Sequence, residues 1–120
     1  MNGMLLVHRE HFWGALEQLM QEHELIIDRP RGTAHPKYPD VIYPVDYGYL
    51  VGTHAMDGGG IDVWRGTGDC GIDGVVVTID LLKKDSEIKI LFKCLAEEKE
   101  CILKLQNSGL MSAILVKRAF

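Results

Sequence analysis

Between Tyr43 and Asp62 the chain reads YPVDYGYLVGTHAMDGGGID, with the carboxylates Asp57 and Asp62 on either side of a run of three glycines. Glycine reaches backbone conformations that a Cβ resists, so Gly58, Gly59 and Gly60 allow both acids to be turned toward one point. Oxygen ligands gathered in this way suit a hard cation such as Mg²⁺, which takes one or two protein carboxylates and completes its shell with water and phosphate oxygens. Asp85, in a later turn, is a third candidate ligand. The D-x-x-x-x-D spacing alone is equally that of a solvated turn, because Asp and Gly are common turn residues. Arg29, Arg31 and Lys37 lie within nine residues, a local cationic cluster in a chain of net charge −4 and so a candidate anion site. Tyr38, Tyr43, Tyr47 and Tyr49 could stack on bases. The acidic balance opposes a nucleic-acid partner, which rewards basic surfaces. His8 and His11 share a helical face but have no third ligand within reach, a poor metal site.

The elements that must position these residues belong to one domain, 1–120, because 120 residues support a single core. A hydrophobic content of 47% and a charged content of 25% are those of an ordinary globular chain. The apolar runs fall far short of the ~20 residues a membrane span needs, so no membrane partner is expected. The first residues, MNGMLLVHRE, do not read as a secretory signal, which points to a cytoplasmic protein. Three cysteines without a C-x-x-C pair argue against a disulfide framework and a zinc site.

Along the chain, Phe12, Leu16, Leu19 and Met20 recur at helical spacing, predicting an amphipathic helix over about 8–23 that packs on the rest. ELIIDR reads as a strand stopped by Pro30, followed by a proline-rich loop to Asp40. Val41–Tyr43, Tyr47–Val51 and the IDVWRG segment are strand-like. Gly74–Leu82 is apolar enough to be buried on both faces, and with Ile88–Cys94 it should form an antiparallel hairpin. AEEKECILKLQ has acids in its first turn and Lys104 near its end, in the order that suits a helix dipole, with a stop at Asn107–Gly109. AILVKRAF is a final strand. This inventory is mainly β with flanking helices, and short antiparallel-looking strands around one core predict a small closed barrel of the OB-like kind with an N-terminal and a C-terminal helix.

The ordered series I-I-D-R-P-R-G-T-x-H-P-K-Y-P, Y-P-V-D-Y-G-Y, G-T and D-G-x-x-x-D-V resembles the soluble (family I) inorganic pyrophosphatases, especially short bacterial forms built of little more than the barrel. The resemblance runs from about Leu25 to Trp64 and continues more loosely to the end. It implies an OB-like barrel and Mg²⁺-dependent hydrolysis of inorganic pyrophosphate to phosphate, the inorganic diphosphatase reaction, in a homo-oligomer. Residue by residue, it implies that Asp57 and Asp62 are catalytic and ligate metal together with Asp85 and Asp28. It further implies that Lys37, Tyr47 and Lys89 meet the substrate, with Arg31 as the accompanying arginine. Gly59 and Gly60 stand where the family has the middle aspartate and proline of its D-x-D-P-x-D motif. Glu87, Ile88 and Lys89 stand where its hairpin carries a second aspartate, and Glu87 is displaced by one position, which predicts that it points to the other face. The C-terminal tyrosine and lysine of the family have no match in NSGLMSAILVKR. The alternative is a pyrophosphatase-like protein that binds phosphate, metal or a protein partner without turnover.

Overall fold

In the computed structural model, which describes residues 3–119, each apolar run finds its own layer. The elements are α1 (Gly3–Glu22), β1 (Leu25–Arg29), β2 (Asp46–Leu50), β3 (Asp62–Arg65), β4 (Ile72–Asp80), β5 (Asp85–Phe92), α2 (Ala96–Gln106) and β6 (Met111–Lys117). The six strands form one sheet in the order β1-β2-β3-β5-β4-β6. The predicted hairpin is present, β4 and β5 pairing antiparallel from Ile72↔Phe92 to Asp80↔Asp85.

The closed barrel is not. Closure would require the first and last strands of the sheet to pair, whereas β1 pairs with β2 and β6 with β4 at opposite edges. Nor is the sheet wholly antiparallel, since β3 runs parallel to β5 from Val63↔Ile90 to Arg65↔Phe92. Parallel neighbours need a crossover, and the chain makes it by placing β4 beyond β5 before returning. Two helices replace closure as the means of burying both faces. Trp13 and Leu16 of α1 pack with Leu50, Val63, Ile72, Val75 and Ile90 on one side. Ile102 of α2 packs with Tyr43, Val45, Trp64, Val76, Leu91 and Cys94 on the other. Alternation along the strands sends neighbouring residues to opposite layers, which is why β4 reads as a continuous apolar run.

The edges are blunted locally. The Asn107 side chain donates to the Ala113 carbonyl and accepts from its N–H, occupying part of the outer edge of β6. β1 is short, and its register shifts between Ile27 and Arg29. Val41–Tyr43, expected as a strand, contributes only an isolated bridge between Ala34 and Ile42. α1 begins earlier than its periodicity indicates, and its residues 3–12 are all exposed. Met1, Asn2 and Phe120, included in the single domain and the terminal elements by the sequence, lie outside the described residues. No helix among the described residues is long and apolar enough to cross a membrane.

Candidate active site

On the α2 side of the sheet, alternation along β5 aims Asp85, Glu87 and Lys89 at one layer. The register sets Asp85 beside Asp80, Glu87 beside Thr78 and Lys89 beside Val76 on β4. Across the sheet, Tyr47 of β2 pairs with Trp64 of β3, and Tyr49 with Asp62. The Tyr-Gly-Tyr spelling has a steric cause: a Cβ on Gly48 would lie 1.9 Å from the Ile26 carbonyl oxygen, so β1 can approach only glycine there. These strands floor an open cleft of about 830 Å³ that Asp28, Tyr47, Asp57, Asp62, Asp85 and Lys89 line together.

The bend carrying the two acids is built by its glycines unequally. Gly58 has φ +86°, a left-handed conformation, and a Cβ on Gly60 would meet the Leu50 carbonyl at 2.6 Å. Gly59 has neither constraint; its N–H donates to Asp57 Oδ1 at 2.9 Å. Asp62 accepts a 2.7 Å hydrogen bond from the Tyr47 hydroxyl, which in turn accepts from Lys89 Nζ at 2.8 Å. Lys89 Nζ lies 3.7 Å from Asp62 Oδ2. Burial pushes the Asp62 carboxyl above its usual range, opposed by the Tyr47 hydroxyl and Lys89. Burial and the Asp62 charge raise Tyr47 far enough to keep its phenol protonated.

Glu87 corrects the sequence expectation. It faces the cleft, on the same side as Asp85 and Lys89, with the Asp57 carboxyl as a near neighbour. Burial first, then the charges and proximity of Asp62 and Asp57, lift it to about 7, against the pull of Lys89. Such a shift marks a carboxyl taken out of water first of all, and set beside other acids that one cation does not offset. The signal for Glu87 was in the sequence, because Asp85, Glu87 and Lys89 share strand parity.

Asp28 is exposed at the β1 edge, and Asp85 is half-buried at the far end of the hairpin. Lys37 and Arg31 are not among the cleft-lining residues. Lys37 is exposed on the loop beside His35, where its charge helps to depress that imidazole, after burial and Arg29. Arg31 donates its backbone N–H to Asp46 and its charge reaches Glu98. The cations that line the cleft are instead Lys89, Arg29 and Lys83. Among the described residues no three His, Cys, Asp or Glu side chains are already close enough together to hold a metal ion. Asp57 and Glu87 nonetheless fit Mg²⁺ by donor type, since this ion needs one or two carboxylates and takes its other oxygens from water and phosphate. Asp62 Oδ2 is engaged by Tyr47. Compared with known proteins, the chain matches no family model, no curated protein and no solved structure.

Proposed function

We propose that the cleft hydrolyses a phosphoanhydride, with Mg²⁺-bound inorganic pyrophosphate as the parent substrate. The observation that carries the reading is the Asp57–Glu87 pair beside the Asp62–Tyr47–Lys89 chain, acids and a nearly buried cation meeting at one cleft. The resemblance in the Leu25–Trp64 segment supports it independently. A bound Mg²⁺ would neutralise phosphate charge and lower the pKa of its own water. Asp57 and Glu87 are the residues to hold it, Asp62 contributing its remaining oxygen, with Asp85 and Asp28 farther out on the rim. Lys89, a donor fixed by Tyr47 and Asp62, is placed to stabilise negative charge on a phosphoryl oxygen, and Arg29 offers a second cation. Glu87, raised to about 7 in the metal-free cleft by burial and its acid neighbours, would give up that proton to bind Mg²⁺ as a carboxylate. Tyr47 remains protonated and orients its neighbours.

The reading is tested by phosphate release from pyrophosphate at saturating Mg²⁺. Activity that collapses in Asp62→Ala supports it. Equal inactivity of both proteins removes the enzyme and leaves the non-catalytic alternative, for which calorimetric titration of Mg²⁺ and imidodiphosphate reads binding directly. A cytoplasmic setting is part of the proposal, as the exposed thiols of Cys70 and Cys101 suit a reducing compartment. So is a homo-oligomer, in which exposed Leu5, Leu6, Val7 and Phe12 of α1 meet another copy. Sedimentation of the full chain at increasing concentration checks it, a monomer throughout being the contrary result.

A further inference from the structure

The layer of the sheet that faces α1 is covered at one end only. Val75 of β4 is buried there with Trp13 and Leu16 of α1. Register carries the same face onto the neighbouring strands: Val75 pairs with Val116 of β6, and Val77 pairs with Ile88 of β5 and Ile114 of β6. Ile79 follows Val77 on that face by alternation. Toward the hairpin and at the β6 edge the cover gives out, and Ile79, Ile88, Ile114 and Val116 are left 39–63% exposed.

The helix has the matching surplus. Trp13 and Leu16 of α1 pack on the sheet, whereas Leu5, Leu6, Val7 and Phe12 remain 41–58% exposed. Leu5, Leu6 and Val7 are successive, roughly 100° apart about the axis, so no rotation of the helix brings all three onto its own sheet. Helix surface that is apolar over so much of its circumference is normally buried. This half of α1 also forms, with Val116 and Lys117, a groove of about 380 Å³ lined on the helix side by Leu5, His8 and Phe12.

Taking up the homo-oligomer proposed above, on whose formation this rests, we infer that each of two copies lays the exposed half of α1 across the β5–β4–β6 face of the other about a two-fold axis. A two-fold contact needs a surface complementary to itself, and one chain here carries both halves of it. The dimensions agree: helix residues 3–12 extend about 15 Å, and β4 from Val75 to Ile79 about 13 Å. The eight apolar side chains offer on the order of 700 Å² per copy, near the ~800 Å² that each partner gives to a stable interface of standard size. Edge-to-edge pairing of β6 is the poorer route, because the Asn107 side chain already engages the Ala113 N–H and carbonyl. The contact bears on the cleft as well. Ile88 lies between Glu87 and Lys89, so the second copy's helix backs the strand that carries them.

Analytical ultracentrifugation of the full chain, of Leu6→Glu, of Ile114→Lys and of an equimolar mixture of the two variants tests the inference. Both positions are exposed, so each variant should keep the wild-type circular dichroism. Wild type should dimerise, and each variant alone should weaken the dimer about 100-fold or more, because a charge enters the apolar contact twice. The mixture should recover dimers, since pairing one variant with the other leaves one contact intact and sets a carboxylate against an ammonium group in the second. A dimer that Ile114→Lys leaves intact overturns the helix-on-sheet contact while the homo-oligomer stands. A mixture that stays as weak as its components overturns the reciprocal arrangement. A wild-type chain that is monomeric at every concentration overturns both, and its flotation with anionic phospholipid vesicles would assign the helix to a lipid surface instead.

Discussion

Replacing Glu87 by Gln should stabilise the metal-free protein at alkaline pH and leave it almost unchanged at acid pH. Glu87 is held at about 7 in the folded chain against an ordinary value of 4.5. A carboxyl raised in this way contributes stability that is complete below the unfolded value and is lost as pH rises through the folded one. Wild type therefore loses stability between about pH 4.5 and 7, where the folded state must accept a carboxylate beside Asp57 and Asp62. Gln keeps the shape without the charge. Moving a pKa from 4.5 to about 7 corresponds to about 3.4 kcal/mol at most. Glu87 is only partly buried, so solvent screening reduces this to about 1–2 kcal/mol. For a chain of this length each kcal/mol moves Tm by about 3–5 °C. Urea and thermal unfolding of both proteins in chelator at pH 4.5 and pH 8 provide the comparison. A gain of equal size at both pH values, or none at pH 8, refutes the crowding of acids on which the site rests.

Lys89→Met removes the cation beside Asp62 and Tyr47, and with side-chain exposures of 10% and 18% for the ion pair it should cost about 2–3 kcal/mol at pH 8. The loss should shrink as pH falls and Asp62, raised by burial, takes up a proton; urea unfolding against pH reads it. Gly48→Ala forces a methyl onto the Ile26 carbonyl and should cost more than about 2 kcal/mol in the same assay, with no change of Mg²⁺ affinity per folded molecule. Gly59→Asp meets only the Asp57 carboxyl, at 3.3 Å, so it should fold and bind Mg²⁺ more tightly in a calorimetric titration. Weaker binding would mean that Gly59 does not adjoin the ion.

The parts of this fold legible in the sequence are those set by local pattern. The α2 boundaries follow from Glu97, Glu98 and Lys104, and the β4–β5 hairpin from two apolar runs joined by a polar turn. Closure was not legible, because it depends on whether β1 meets β6, residues far apart whose side chains carry no signal of mutual pairing. The β3–β5 parallel pair was hidden for the same reason, IDVWRG being equally compatible with either direction. Within the site, Asp57 and Asp62, singled out by type and spacing, and Tyr47 and Lys89, singled out by the resemblance, line one cleft. Arg31 fails because its local cationic cluster is split, its backbone tied to Asp46 and Arg29 turned to the cleft instead. Tyr-Gly-Tyr, part of the resemblance to an enzyme family, is required at its glycine by strand contact alone. The places of His35 and Gln106 on the cleft were not legible, because only the fold brings their separate segments together, whereas Tyr38 stood out with Tyr43, Tyr47 and Tyr49 by its ring alone.

The most direct measurement is the anomalous scattering of Mn²⁺ in crystals grown with imidodiphosphate. The account predicts a peak within ligand distance of Asp57 and Glu87, about 2.0–2.2 Å from their oxygens, shared with phosphate oxygens that Lys89 also reaches. A peak elsewhere on the surface, or a cleft that takes up neither ion at saturating concentration, contradicts it.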